Sequence, residues 1–409
     1  MKIFPSSEYR EIIQYTGYWI VVSILIGLIS GVSSSLIFAC FDLANKLRMA
    51  YPWLIYFLPF IGLMMGYLFY YYGTPIEKGT HLLIDEIHQP KAFIPKRMSP
   101  LIFISAILTQ IFGGSAGREA PAVQLSGALT DHLTQVFKVP HDNRKIFLIA
   151  SIGSGFAAIF GLPLAGAIYG LEITSLGKLR YSAVFPCFVS AVIASQVPEF
   201  FHIVHPHHYY VVSSFPELTS VVIISLMVAG LIFGIVARIF IASIHFVSKQ
   251  LNRYIRFMPF RPMVGGILIM LMTLIVGAQT FNGLGVHSMI ASFYHDLPIT
   301  DFIGKMIFTA TTLGSGFKGG EITPLFFVGT TLGNALGQWL PLPISLLAGL
   351  GLVSLFAGAS KAPLTSIILA IELFGVSIAE YAVITCLLAY LFSGNCGLYR
   401  NQNLKLHDD

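Results

Sequence analysis

The feature that most constrains the fold is a series of long apolar runs, several of which are interrupted by Gly or Pro. A run of about 20 apolar residues can cross the hydrocarbon of a bilayer as a helix. Of the whole chain, 55% is hydrophobic and only 11% is charged, unlike the composition of soluble proteins. The alternating segments of a membrane strand barrel are absent. We therefore predict an all-α integral membrane protein, with runs near residues 18–40, 53–72, 146–173, 183–197, 221–246, 263–278 and 342–374.

Little of the chain lies outside these runs. We predict an interfacial helix over residues 1–16, which carry both acidic and basic side chains and lack the cleavage site of a signal peptide. The net charge of +5 is small for 409 residues, and the basic residues sit in connecting loops, as is typical of membrane flanks. We expect the lipid bilayer as a partner, no nucleic acid, and no soluble regulatory domain.

The residues that could bind a metal do not form a known ligand pattern. The four cysteines are far apart, and the polar group in residues 81–88 fits no zinc spacing. A solvated loop or helix face is the preferred interpretation of that group, which consists of His81, Asp85, Glu86 and His88. We expect no metal and no cofactor. The cysteines, interpreted as inert core residues, are Cys40, Cys187, Cys386 and Cys396.

The chain contains an internal repeat. Phe156-Ala157, Pro163-Leu164 and Glu172 recur 200 residues later as Phe356-Ala357, Pro363-Leu364 and Glu372. Duplicated halves with interrupted helices are typical of secondary transporters, whose substrate site lies between the repeats near mid-membrane. We predict a first membrane repeat over residues 17–197, a second over residues 198–394, and a C-terminal segment over residues 395–409.

Each half carries a glycine-rich segment with a glutamate. The first runs from Gly113 to Gln124 and contains Glu119, and the second is Gly319-Gly320-Glu321-Ile322-Thr323-Pro324. Glycines ahead of a helix let backbone N–H groups converge at the positive end of the helix dipole, which favours an anion. An ionised Glu119 can occupy such a site in place of an anion, and protonation releases it. The alternative is that Glu119 caps the helix that follows it.

Four stretches supply donors for an anion site. They are the turn at Gly79-Thr80, the segment of Glu119, the segment of Thr323, and the stretch that ends at Tyr399. Backbone N–H groups, threonine hydroxyls and the tyrosine O–H are the donors that a dehydrated halide needs. Because irregular backbone at membrane depth is tolerated only in a protein-lined cavity, we expect the two glycine-rich segments to meet.

These residues resemble the CLC family of anion channels and anion/proton exchangers over nearly the whole chain. Gly117-Arg118-Glu119-Ala120-Pro121 is similar to the family's Gly-Lys/Arg-Glu-Gly-Pro motif, and Tyr399 matches the family's pore tyrosine. The resemblance implies a homodimer with a CLC-type fold of two inverted-topology repeats with broken helices. It implies that Glu119 is the gating and proton-carrying residue, and Glu321 in the second glycine-rich segment is a candidate proton relay that assists it. The implied anion-binding residues are Gly79, Thr80, Gly117, Arg118, Ala120, Ile322, Thr323 and Tyr399.

Within the family, the motifs resemble the fluoride-exporting bacterial branch. Lys78-Gly79 through Ile87 replaces the Gly-Ser-Gly-Ile-Pro of chloride members, and residues 319–327 look characteristic of the fluoride branch. Thr80 stands where that branch commonly has Met or Asn, and its hydroxyl keeps chloride as an alternative substrate. Ala120 replaces the motif's glycine, and Ile173 stands where chloride exchangers carry an internal glutamate.

The resemblance thus predicts a fluoride/proton antiporter of the bacterial plasma membrane, a multi-pass transporter and not an enzyme. The alternatives are a chloride/proton exchanger and a passive anion channel. A remote alternative is an intramembrane enzyme using Ser154 with His287 or His295, for which no nucleophile-elbow pattern is present.

Several residues also have an ordinary structural interpretation. A structural pairing is preferred over transport for Glu172 and Glu372, because intramembrane carboxylates are often retained through their partners. Thr323 is an alternative cap of a broken helix. Tyr399 is an alternative interfacial anchor, since tyrosines gather at membrane boundaries.

Overall fold

The structure is a computed structural model that describes residues 6–174, 180–205, 210–277, 279–395 and 397–399. The first five residues, Cys396 and most of the C-terminal segment 395–409 lie outside the described residues. Helices dominate this part of the chain. They are α1 (Ser6–Ala50), α2 (Leu58–Tyr72), α3 (Thr80–His88), α4 (Met98–Ile111), α5 (Glu119–Val136), α6 (His141–Phe160), α7 (Pro163–Ile173), α8 (Val184–Phe200), α9 (Ser220–Tyr254), α10 (Phe260–Val276), α11 (Val286–Ala291), α12 (Thr300–Gly314), α13 (Ile322–Gly337), α14 (Ile344–Ser360), α15 (Pro363–Phe374) and α16 (Ala379–Phe392).

Within the described residues, four helical stretches are long and apolar enough to cross a membrane, by length and composition. They are Ile13–Ala50, Pro52–Tyr72, Tyr181–Phe200 and Ser220–Tyr254. Helix α1 continues without a break through residue 16, so the interfacial position of residues 1–16 stays a prediction. Other helices, such as α13 with 16 residues, are shorter than a full span and start inside the protein.

The two repeats pack against each other with opposite directions. Helices α7 and α15 are equivalent, since they begin at Pro163 and Pro363. Near the C-terminus of each helix a glutamate accepts hydrogen bonds from backbone N–H groups in the first turn of the other. The two helices therefore run antiparallel, as inverted-topology repeats require, and the predicted structural pairing of Glu172 and Glu372 is confirmed.

Equivalent positions also meet in the core. The rings of Phe156 and Phe356, which are 200 residues apart, lie with their centroids 6.0 Å from each other. In the second repeat, α13 crosses α14 closely, because a Cβ on Gly329 or on Gly351 would collide with the carbonyl oxygen of the other glycine. Small residues allow such close helix packing where hydrocarbon surrounds the protein.

A buried ion-pair network ties α3, α5 and α6 together. Arg144 donates from Nε to Asp131 Oδ1 at 2.6 Å and from Nη1 to Glu86 Oε2 at 3.2 Å. Glu86 also accepts from the backbone N–H groups of Lys91 and Ala92. The solvated interpretation is therefore wrong for Glu86, which is buried, because a cation 58 residues away compensates its charge. Asp85 does reach the surface, where it pairs with Lys78 at 3.1 Å.

Candidate functional site

The two glycine-rich segments meet directly ahead of α5 and α13. The N–H of Gly117 donates to the carbonyl of Gly320 at 2.6 Å, and the N–H of Gly320 donates to the carbonyl of Gly117 at 2.8 Å. These two bonds form an isolated antiparallel bridge between buried residues. The expectation that the segments come together is confirmed, and their helix N-termini face a common space.

The carboxylate of Glu119 binds the N-terminus of the other repeat's helix. Its Oε1 accepts from the backbone N–H of Ile322 at 2.6 Å and of Thr323 at 3.0 Å. Its Oε2 accepts from the Thr323 hydroxyl at 2.6 Å. No solvent reaches Glu119, which has a relative exposure of 0%. Three donors at the positive end of a helix dipole surround the charge, so the position suits an anion.

The capping interpretations of this region are wrong. Glu119 is the first residue of α5, but its carboxylate contacts α13 and makes no described hydrogen bond to its own helix. Thr323 lies inside the first turn of α13, and its hydroxyl donates to Glu119 instead of accepting from a backbone amide. The flexible side chain of Glu119 lies near the N-termini of both α5 and α13. Its carboxylate binds α13, the helix of the other repeat.

Glycine is required where the two segments cross. A Cβ on Gly117 or on Gly320 would overlap the carboxylate of Glu119. The Cβ of Gly320 would also approach the backbone nitrogen of Ala120, which is itself buried. Close approach explains both glycines, because neither has a positive φ.

A cavity of about 250 Å³ lies on one side of this crossing. Among its lining residues are the predicted site residues Gly79, Thr80, Glu321 and Tyr399. Gly79 adopts φ of +59° just before α3, which orients the first residue of the helix, Thr80, toward the cavity.

Tyr399 lies within the protein and is only 3% exposed, so the interpretation as an interfacial anchor is wrong. Its hydroxyl is 2.9 Å from the hydroxyl of Tyr169, and its ring lies 5.6 Å from that of His81. His81 is partly buried and lines the same cavity, in contrast to a fully solvated position.

A second, smaller cavity of about 40 Å³ is lined by Arg118, His205 and Thr323. It has room for about one water-sized species. The guanidinium of Arg118 packs over the ring of Phe38 at 3.7 Å, so this cation faces an aromatic surface near the cavity. Glu321 lines the larger cavity and Thr323 the smaller one. The carboxylate of Glu119 binds Ile322 and Thr323, so it lies between the two cavities.

Two further polar residues belong to this site and were not identified from the sequence. Gln124 donates from Nε2 to Thr80 Oγ1 at 3.0 Å, and Tyr169 is bonded to Tyr399. Gln124 follows Glu119 in the same segment, and Tyr169 lies in an otherwise apolar run, so two polar side chains of the first repeat were the available signal. Their partners are 44 and 230 residues away, which the sequence alone does not reveal.

Other candidate chemistry is not assembled in the described part of the chain. The Ser154 hydroxyl bonds to Ser30 and to the carbonyl of Ala150, and among the described residues no hydrogen bond joins it to a histidine. Among the described residues, no three His, Cys, Asp or Glu side chains converge as metal ligands. Glu172 is engaged with α15, and Ile173 beside it is a buried apolar residue.

Inverted repeats whose broken helices point their N-termini at one buried site define a membrane ion transporter. The sequence agrees with this class, since the family model described as voltage gated chloride channel matches residues 61–394. The chain belongs to this family, the CLC family of anion channels and exchangers.

Relatives within the family differ in the ions that their names give. The chain is 40% identical to a chloride/fluoride channel protein of Pseudomonas syringae pv. tomato, over 99% of this chain and 90% of the relative. It is 30% identical to the H(+)/Cl(-) exchange transporter ClcA of Vibrio campbellii, over 68% of this chain and 62% of the relative.

Solved structures show the same fold. A CLC-type fluoride/proton antiporter aligns with a TM-score of 0.91 at 29% identity, covering 95% of this chain and 98% of its own. A slow cyanobacterial Cl-/H+ antiporter aligns with a TM-score of 0.79 at 19% identity, covering 92% of this chain and 94% of its own.

Proposed function

We propose that this chain is a fluoride/proton antiporter that exports fluoride in exchange for protons across the bacterial plasma membrane. The observation that carries the proposal is the carboxylate of Glu119, which occupies three donors of α13 between two cavities. A small anion needs the same donors that the ionised carboxylate uses. The names of the chloride/fluoride channel protein and the fluoride/proton antiporter among its relatives support fluoride as the anion.

Competition for these donors links the two ions. When Glu119 is ionised, its carboxylate fills the site and blocks passage between the cavities. Protonation removes its charge, so the N–H groups of Ile322 and Thr323 and the Thr323 hydroxyl become available to an anion. The protonated carboxyl leaves the site, releases its proton and returns as a carboxylate. Each such cycle moves one proton in the direction opposite to the anion. The same group therefore acts as gate and proton carrier.

Glu321 is the candidate proton relay on the side of the larger cavity. It directly precedes Ile322, whose N–H binds Glu119, and it lines the cavity together with Thr80 and Tyr399. Ile173 offers no titratable group, and Glu172 is held in the helix pairing. These contacts favour Glu321 over the residues of α7, Glu172 and Ile173, as the proton relay.

We further propose that anion binding uses Gly79, Thr80, Gly117, Arg118, Ala120, Ile322, Thr323 and Tyr399. The larger cavity is lined by Gly79, Thr80 and Tyr399, and the smaller one by Arg118 and Thr323. The anion would therefore contact the two groups in succession as it passes the gate. The protein is proposed to work as a homodimer, as the family resemblance implies, with one pathway in each subunit. A chloride/proton exchanger and a passive channel are the alternatives.

Flux from proteoliposomes tests the proposal. A fluoride electrode, a chloride electrode and a pH electrode follow efflux from vesicles that contain the parent, Glu119→Gln or the control Glu380→Gln. Glu380 is an exposed acid in the first turn of α16, far from the gate in sequence. The parent and the control should release fluoride with proton uptake, and Glu119→Gln should lose the proton movement, since an amide carries no exchangeable carboxyl proton.

Each alternative has its own result. Chloride efflux as fast as fluoride efflux in the parent would favour a chloride/proton exchanger. Fluoride efflux without proton movement in the parent would favour a passive channel. Proton coupling that survives in Glu119→Gln would contradict the role of Glu119.

A further inference from the structure

Gln124 lies on the same helix as Glu119 and reaches into the larger cavity. Its side chain is mostly buried, with a relative exposure of 7%, and it lines the cavity beside Thr80. Its Nε2 donates to Thr80 Oγ1 at 3.0 Å. A Cβ on Gly79 would lie 3.0 Å from the same Nε2, so the turn before α3 holds the amide closely.

This hydrogen bond determines which way the Thr80 hydroxyl donates. A threonine hydroxyl has one proton and two lone pairs. One lone pair accepts from Gln124. Among the described residues, the Thr80 side chain makes no other hydrogen bond. The hydroxyl proton is therefore left for a species in the cavity. The second proton on Nε2 of Gln124 is a further donor at the same place.

We propose that Gln124 is a specificity-determining residue, which orients the Thr80 hydroxyl as a donor toward the anion and adds an amide donor beside it. The inference deepens the proposed function and rests on it. Fluoride carries the same charge as chloride on a smaller ion, so it interacts more strongly with each hydrogen-bond donor. Loss of a donor therefore weakens fluoride binding more than chloride binding. A site built to hydrogen-bond its substrate discriminates strongly through such groups, whereas a purely steric pocket does not.

The opposite arrangement would give a different site. If the Gln124 carbonyl oxygen faced Thr80, the hydroxyl would donate to it and only lone pairs would face the cavity, which repel anions. Gln124→Glu imposes this arrangement when the new carboxylate is ionised, because a carboxylate only accepts. The direction of the amide therefore has a functional consequence that substitution can measure.

A double-mutant cycle in proteoliposomes tests the proposal. The four proteins are the parent, Gln124→Met, Thr80→Val and the double variant, and the initial efflux rate is measured against internal fluoride and, separately, internal chloride. Gln124→Met should raise the KM for fluoride about tenfold, the effect of one lost hydrogen bond to a charged group. The KM for chloride should change much less, so the preference for fluoride falls. In the Thr80→Val background, the same change should have less than about a third of its effect on a logarithmic scale, because both residues act on one donor set.

The control is Gln135→Met, an exposed glutamine on the same helix that lines neither cavity. It should leave both KM values at those of the parent. Gln124→Asn keeps the amide but shortens its reach, and serves if Gln124→Met does not fold. Gln124→Glu should weaken fluoride transport more than Gln124→Met does, since it adds charge repulsion to the lost donor.

Three outcomes would overturn the inference. They are an equal change in KM for both anions, additive effects of Gln124→Met and Thr80→Val, and a change in maximal rate alone. Each would mean that Gln124 only supports the structure. If the parent moves fluoride without protons, the proposed antiport fails but the cycle still tests Gln124. If the parent moves no fluoride, calorimetric titration of the same four purified proteins with sodium fluoride gives the binding constants for the cycle.

Discussion

Glu172 and Glu372 occupy equivalent positions in the two repeats, and each binds the start of the other's helix. Oε1 and Oε2 of Glu372 accept from the N–H groups of Leu164 at 2.8 Å and Ala165 at 2.7 Å. Oε1 and Oε2 of Glu172 accept from Leu364 at 3.0 Å and Thr365 at 2.7 Å. The repeats are thereby joined by two mirrored contacts, in which a carboxylate meets the free amides and positive dipole of a helix N-terminus.

Glu172→Gln should destabilise the protein more than Glu372→Gln. Each substitution replaces one acceptor with an NH₂ group that faces backbone donors, which costs about 1–3 kcal/mol. Glu172 additionally accepts from the Thr365 hydroxyl at 2.6 Å, whereas Ala165 at the equivalent position has none. Thermal unfolding of the purified proteins in detergent, followed by circular dichroism, should therefore rank the parent above Glu372→Gln and Glu172→Gln lowest.

Thr365→Val is the control for this difference, since it removes the additional bond and keeps both carboxylates. In that background, the two glutamine variants should have similar melting temperatures. Equal melting temperatures of all variants and the parent would show that the mirrored contacts do not contribute to stability.

Gly320→Ala should disable the gate while the protein still folds as a membrane protein. The added methyl group would overlap the carboxylate of Glu119 and approach the nitrogen of Ala120. The carboxylate then loses its position on α13, and we expect the proton uptake that is coupled to fluoride efflux to fall at least about tenfold, the equivalent of one charge-assisted hydrogen bond. Gly17→Ala is the matched control, because a Cβ there meets nothing within 4 Å. Parental coupled flux in Gly320→Ala would contradict the close crossing.

Arg144→Met should destabilise the protein strongly. The substitution leaves Asp131 and Glu86, both buried, without their cation. Breaking a buried ion pair by removing one partner costs about 3–5 kcal/mol. The expected result is a much lower melting temperature and a lower yield of folded protein on gel filtration.

Lys145→Met provides the comparison, since the next residue is also a cation but pairs with the 95% exposed side chain of Asp142. A surface pair contributes about 0–1 kcal/mol, so this variant should melt close to the parent. Similar melting temperatures for Arg144→Met and Lys145→Met would argue against the network.

Tyr169→Phe should change transport through Tyr399 without removing a cavity residue. The two hydroxyls are 2.9 Å apart, and Tyr169 is not among the residues that line the larger cavity. Without its partner, the Tyr399 hydroxyl can rotate, and we expect the KM for fluoride to change by a factor of a few, as for the loss of one neutral hydrogen bond. Tyr399→Phe should have the larger effect on KM, measured in the same fluoride efflux assay. A larger effect of Tyr169→Phe would mean that it acts on packing instead.

Much of the fold could be predicted because its causes are local. Apolar runs indicate membrane helices wherever they occur, and identical spacing in two halves indicates a repeat whatever its three-dimensional form. Glycine beside a glutamate in each half predicted that the segments of Glu119 and Thr323 meet, which the bridge between Gly117 and Gly320 confirms. The anion-binding roles of these residues stay predictions.

The polar partners were harder to predict. Glu86 looked like a residue of a solvated helix face, because its partner Arg144 follows 58 residues later. For Tyr399 the sequence favoured a pore position and left a membrane anchor as the alternative, which its burial against Tyr169 excludes. A hydrogen bond depends on distance and angle between two groups, and a sequence records neither.

The amino-acid sequence by itself determined that the chain is a helical membrane protein, that it is built from two related halves, and that one carboxylate sits among glycines. Hydrophobicity adds up residue by residue along the chain, so these properties need no knowledge of distant contacts. Only the tertiary structure decided that the Glu119 carboxylate binds the helix of the opposite repeat, and that the Gln124 amide donates to the Thr80 hydroxyl. The partners in these contacts are 44 to 204 residues apart in the chain, and packing of helices decides which of them meet.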